Sequence, residues 1–121
     1  MERKDWEPPP AVAAWGWRYH HTGVPTSQPR AGERYLAAFK VHVSGFAESP
    51  YGVEHMRFEP DSPLPELIRT VPHVAFEVDD LEAALEGKTV IFPPGAPSAG
   101  VRAAMIVHDG CPIELIAFER R

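Results

Sequence analysis

The chain has a single cysteine, Cys111, so no internal disulfide can form and packing alone must hold the fold. A lone thiol points to a reducing, cytoplasmic compartment. No apolar run approaches the ~18 residues that span a bilayer, so no membrane partner is expected. Basic residues cluster no further than Arg120-Arg121 and the net charge is −5, which leaves no footprint for a phosphate backbone. Nucleic acid is therefore not an expected partner. Residues 1–10 are charged and proline-rich and lack the apolar core of a signal sequence. Long helices are also excluded: 14 prolines and 9 glycines among 121 residues cut the chain into short pieces that favour strands and turns. The remainder, 44% hydrophobic and 24% charged, suits one soluble globular domain.

Residues 1–16 read as an N-terminal arm, with Pro8-Pro9-Pro10 extended and Trp15 and Trp17 as apolar anchors. A single domain over 17–121 follows, divided into module one (17–60) and module two (71–119) by the linker at 61–65. Strands are predicted at 17–24, 39–44 and 51–59 in the first module. Pro29 and Gly32 argue against a full helix at 26–34. In the second module, strands are predicted at 71–78, 89–92, 102–107 and 112–118, with a loop at 93–100. A two-turn helix lies between the first two of these. Asp79 is its expected N-cap with Glu82 in a capping-box position, Leu81, Ala84 and Leu85 its apolar stripe, and Gly87 its stop.

The chain repeats itself. Val53-Glu54-His55-Met56-Arg57-Phe58-Glu59 matches Ile113-Glu114-Leu115-Ile116-Ala117-Phe118-Glu119, and His21-Thr22-Gly23 matches His73-Val74-Ala75, a histidine with a small residue two places on. The span from histidine to glutamate is 33 residues in the first copy and 41 in the second, a difference about the size of the short helix. Without a helix behind it, the outer face of the last strand in module one, carrying Val53, His55 and Arg57, is expected to be wet.

Strand parity sets the direction of the polar residues. Val74, Phe76 and Val78 should pack on the helix, which turns His73 away from it, and Ile113, Leu115 and Ala117 should do the same for Glu114. By the repeat, His21 and Glu54 follow. All four then point into one cavity walled by Met56, Phe58, Ile116 and Phe118. Two histidines and two carboxylates make a ligand set for a divalent metal. His20, of opposite parity, belongs on the outer face. The blander assignments place His55 in solvent, His42 on a strand face, His108 in a turn and Cys111 as a packed small side chain. Arg57 and Arg102 either meet an anionic substrate or contact solvent.

Three segments carry a family likeness: His21 with Gly23-Val24-Pro25, Pro72 through Leu81 (PHVAFEVDDL), and Pro112-Ile113-Glu114-Leu115. In these the chain resembles the vicinal oxygen chelate superfamily, which includes glyoxalase I, extradiol dioxygenases, methylmalonyl-CoA epimerase and the bleomycin and fosfomycin resistance proteins. The resemblance implies an α+β fold of two βαβββ modules forming a curled mixed sheet around a cavity, here with the helix of module one shortened or lost. It also implies that His21, Glu54, His73 and Glu114 are metal ligands, and that the chain forms a homodimer.

Imidazole with carboxylate suits Fe, Mn, Ni, Co or Zn better than the all-oxygen cations. Such a divalent transition metal would act as a Lewis acid on a small oxygen-rich substrate, with Glu54 or Glu114 free to serve as the catalytic base. The expected function is a glyoxalase-like metal-dependent lyase, isomerase or dioxygenase. One alternative is a metal-free module that sequesters a small molecule, as the bleomycin-resistance proteins do. Another is an interaction domain whose arm docks on a partner.

Overall fold

The computed structural model describes residues 2–119; Met1 and the Arg120-Arg121 pair lie outside the described residues. Eight strands form one curled mixed sheet: β1 (Arg18–Pro25), β2 (Arg34–Leu36), β3 (Val41–Ser44), β4 (Val53–Phe58), β5 (His73–Glu77), β6 (Thr89–Ser98), β7 (Val101–His108) and β8 (Cys111–Phe118). Their order is β2-β3-β4-β1-β5-β8-β7-β6. The first strands of the two halves meet antiparallel at the centre, and each pairs in parallel with the last strand of its own half. The sheet is therefore two equivalent four-stranded halves joined through β1 and β5.

Between β5 and β6 lies the one predicted helix, α3 (Leu81–Leu85). It packs Leu81, Ala84 and Leu85 against Val78, Leu115, Ala104 and Ile106, with Phe76, Ile113 and Ala117 around them. This is the parity expected of β5 and β8. The cap differs by one place: Asp80, not Asp79, has extended dihedrals and accepts the Ala83 N–H at 3.1 Å. Since Leu81 is the buried first helical residue, the cap must immediately precede it. Asp79 instead pairs with Arg18 at 2.9 Å, and Glu82 turns to Arg102 at 2.6 Å rather than closing a capping box.

Module one has no helix between β1 and β2. Its outer face is nevertheless not wet, as Val53, His55 and Arg57 are all half-buried. Glu33, at the end of the 26–33 loop, grips the Arg57 guanidinium through two hydrogen bonds of 2.7 and 2.9 Å. Tyr35 leans on His42 at 4.6 Å, and His42 in turn meets Glu59 at 3.0 Å. A loop with one bidentate ion pair takes the place of the helix. His55 is accordingly not solvated; its Nδ1 is buried without a partner.

Two other departures come from the brevity of the elements. Strand β2 spans three residues and α2 (Glu66–Thr70) five, too few for a periodicity to show. Strand β6 runs on to Ser98 through Pro93, Pro94 and Pro97 where a loop was expected, because an edge strand can tolerate residues that donate no hydrogen bond on its free side. Cys111 is exposed at the start of β8 rather than packed. In the arm, Pro10 heads a single helical turn, α1 (Pro10–Ala13), instead of ending an extended run. Trp17 reaches the core beneath α3, and Trp15 packs edge-on to Trp17 under the Lys88 ammonium. Among the described residues, no helix is long and apolar enough to cross a membrane.

Candidate metal centre

The site straddles the two central strands, and its layout follows from their register. In the antiparallel β1–β5 pairing, His21 lies opposite Ala75 and His73 opposite Gly23. In the parallel pairings, Glu54 lies beside Gly23 and Glu114 beside Ala75. The small residue that follows each histidine by two places is thus the seat of the other module's histidine. Gly23 is required for this: a Cβ there would stand 2.2 Å from Cε1 of His73.

Three of the four predicted ligands converge. One carboxylate oxygen of Glu114 lies 2.9 Å from His73 Nε2 and 3.2 Å from His21 Nε2, and all three residues are buried. Ligands each ~2.0–2.2 Å from a shared ion stand about 3 Å apart, so this donor set fits a transition metal. His73 turns its Nε2 to Glu114, while its Nδ1 is buried with no partner. Glu54 stands off, 3.9 Å from His21 Nε2, and its side chain is 17% exposed.

Electrostatics separates the two carboxylates. Burial works to raise Glu114, but the hydrogen bonds and charges of His21 and His73 outweigh it and hold it at about 2. Burial raises Glu54, and the neighbouring Glu114 charge adds to that, against opposing pulls from His21 and Arg34. For His21, burial is the largest influence and lowers it, yet the Glu114 hydrogen bond with the Glu114 and Glu54 charges produces a net rise.

A cavity of about 260 Å³ opens from this cluster. Met56, Ile116 and Phe118 line it as expected, whereas Phe58 does not and packs instead on the cluster of Leu64, Ile68 and Met105, to which α2 contributes Ile68. Arg34 and Leu36 contribute to its wall and were not foreseen, since β2 carried no readable pattern, and Phe46 joins them from the short turn between β3 and β4. Arg57 and Arg102 are both engaged elsewhere, with Glu33 and Glu82, and do not line it. His42 and His108 lie on strands outside it.

His20 was expected on the outer face and is instead in the cavity wall. The register slips between Tyr19 and His21, so that an extra residue sits in β1 opposite β5. A bulge of this kind reverses parity at one position and turns His20 to the side of His21. The adjacent pair of histidines was the visible signal; alternation alone could not place both on one face.

No family model matches the sequence, and no curated protein is similar to it. Solved structures are. A hypothetical protein of Bacillus halodurans superposes with a TM-score of 0.62 at 16% identity, over 87% of this chain and 96% of its own. Methylmalonyl-CoA epimerase from Mycobacterium tuberculosis superposes with a TM-score of 0.61, also at 16% identity, over 85% and 89%. The fold is that of the vicinal oxygen chelate proteins. Within that fold, the convergence of His21, His73 and Glu114 lies where the two modules meet.

Proposed function

We propose that the protein is a metal-dependent enzyme of the vicinal oxygen chelate type, acting on a small oxygen-rich molecule, with isomerase chemistry favoured over lyase or dioxygenase chemistry. The observation that carries this reading is the meeting of two imidazole nitrogens on one buried carboxylate oxygen at the inner end of a cavity. The likeness to an epimerase of the same fold supports the choice among reactions. His21, His73 and Glu114 would hold the cation, with Glu54 as a fourth ligand or a base. A divalent transition metal there supplies Lewis-acid stabilisation of charge on a substrate's oxygens.

The chain's own groups do the rest. Glu114, gripped by both histidines, is kept ionised and is a poor proton acceptor. Glu54 is at the cavity wall and free of such a grip, so its carboxylate is the group placed to take a proton from a carbon beside a carbonyl and return it. Met56 and Ile116, both buried, give the cavity an apolar wall beside that exchange, and the partly exposed rings of Phe46 and Phe118 extend it.

A second reading has one observation in its favour. Glu114 already accepts from both histidines, so the cluster is satisfied without a cation, as a metal-free sequestering protein would require. Metal analysis decides between them. Protein purified without chelators should carry one transition metal per chain, lost in His73→Ala and Glu114→Ala. Absence of metal in the wild type under every loading condition would leave sequestration as the function.

A further inference from the structure

The bulge in β1 is a built feature. Tyr19 Oη donates to the Tyr51 carbonyl at 2.7 Å and lies 2.8 Å from Thr22 Oγ1, tying together the residues that flank the two histidines. Thr22 N–H donates to the Gly52 carbonyl at 2.9 Å. Gly52, at φ +74°, passes so close beneath the bulge that a Cβ would lie 2.9 Å from the His20 carbonyl oxygen. The His20 ring is then clamped, stacked on Phe46 at 5.1 Å and 17° and tilted against Phe118 at 5.2 Å. From this fixed position its Nδ1 lies 2.7 Å from Nδ1 of His21.

Two ring nitrogens at that distance share one proton position, so one ring donates and the other accepts. For His21 to offer Nε2 to a cation, that nitrogen must be bare and the ring proton must sit on Nδ1. His21 is then the donor and His20 the acceptor, with the His20 proton on its Nε2. The other histidine needs no such help: the His73 ring is completely buried against Gly23, and its Nδ1 has no partner.

We propose that His20 is a positioning residue of the candidate centre, accepting the Nδ1–H of His21 and so holding that ring with Nε2 turned to Glu114. The inference rests on the metal reading of His21. Outer hydrogen-bond partners of this kind fix the tautomer and rotation of a ligating histidine. His20 itself is left out of the group of His21, His73 and Glu114 whose ligand atoms lie within 4.8 Å of one another.

The test uses the full chain with zinc as the probe. His20→Phe keeps a flat ring between Phe46 and Phe118 but removes the acceptor, whereas His20→Asn returns an oxygen near the Nδ1 position. By calorimetric titration, H20F should bind zinc about 10–100-fold more weakly than wild type, and H20N within about threefold of it. Equal affinity for H20F and wild type would overturn the proposal, as would equal losses in H20F and H20N, which would mean packing alone. Long-range ¹H–¹⁵N spectra of the His21 ring give a second readout that needs no metal. A proton should reside on Nδ1 in wild type and H20N, beside the one that Nε2 donates to Glu114 when no metal is bound, and the distribution over the two nitrogens should change in H20F; an unchanged ring in H20F overturns the role of His20. Failure of the wild type to take up zinc would sink the metal reading by itself, and the metal-free spectra would still decide the His20–His21 bond.

Discussion

The two halves bring the same residue types to the centre from equivalent strand positions, yet their carboxylates behave differently. Glu114 takes both histidines and is held ionised; Glu54 stands 3.9 Å from Nε2 of His21. Behind Glu114, the outer face of β8 is packed on a helix through Leu115, which has no exposed surface. Behind Glu54, the outer face of β4 rests on a loop and an ion pair. Mutual repulsion of the two carboxylates adds to the separation. A symmetric backbone thus gives one clamped carboxylate and one with latitude, and the difference is set by what lies on the far side of the sheet.

The most severe test of that contrast is neutralisation of each carboxylate in metal-free protein. Glu114→Gln removes the charge that two buried histidines share and should cost about 3–5 kcal/mol in denaturant unfolding. Glu54→Gln relieves a desolvated carboxylate and should change stability by less than about 1 kcal/mol in either direction. Equal losses would mean that the halves are equivalent after all.

The packing behind each half comes next. Leu81→Ala opens a cavity under α3 and should destabilise by about 2–5 kcal/mol. Glu33→Gln, which loosens the ion pair replacing a helix in module one, should shift the unfolding midpoint by less. A larger effect for Glu33→Gln would show that the loop, not α3, is the main support of the sheet.

Much of this contrast was legible in the amino-acid order. The eight-residue difference in histidine-to-glutamate span marked the missing helix, and alternation in 73–78 and 112–118 aimed His73 and Glu114 correctly. His20 was not legible, because a bulge breaks the alternation on which parity depends. Nor was the grip of Glu33 on Arg57, since pairing across 24 residues between a loop and a strand has no local signature. The prolines of β6 misled for a related reason: their meaning depends on whether a strand is at the edge, which is a property of the whole sheet.

The smallest expected effects are those of pH. Glu114 and Glu33 both lie at about 2 in the fold, below the ordinary 4.5, Glu33 chiefly through its hydrogen bonds from Arg57. A depressed carboxylate contributes stability that is present above its unfolded value and lost as pH falls through its folded one. Stability of the metal-free protein should therefore decline between about pH 4.5 and 2. The decline should be shallower in Glu114→Gln than in Glu33→Gln, because Glu114 is the buried member of the two. His21 is raised, so its contribution is full at acid pH and disappears as pH climbs past the ordinary 6.5. A flat profile on the alkaline side would show that His21 carries no charge in the fold.

The seating of each histidine against a small residue of the opposite strand, His21 on Ala75 and His73 on Gly23, makes the centre a joint possession. Neither half holds a complete niche for even its own imidazole. A chain severed in the linker before α2 would yield two fragments with half-built pockets, and only their reunion would restore a place where an ion could rest.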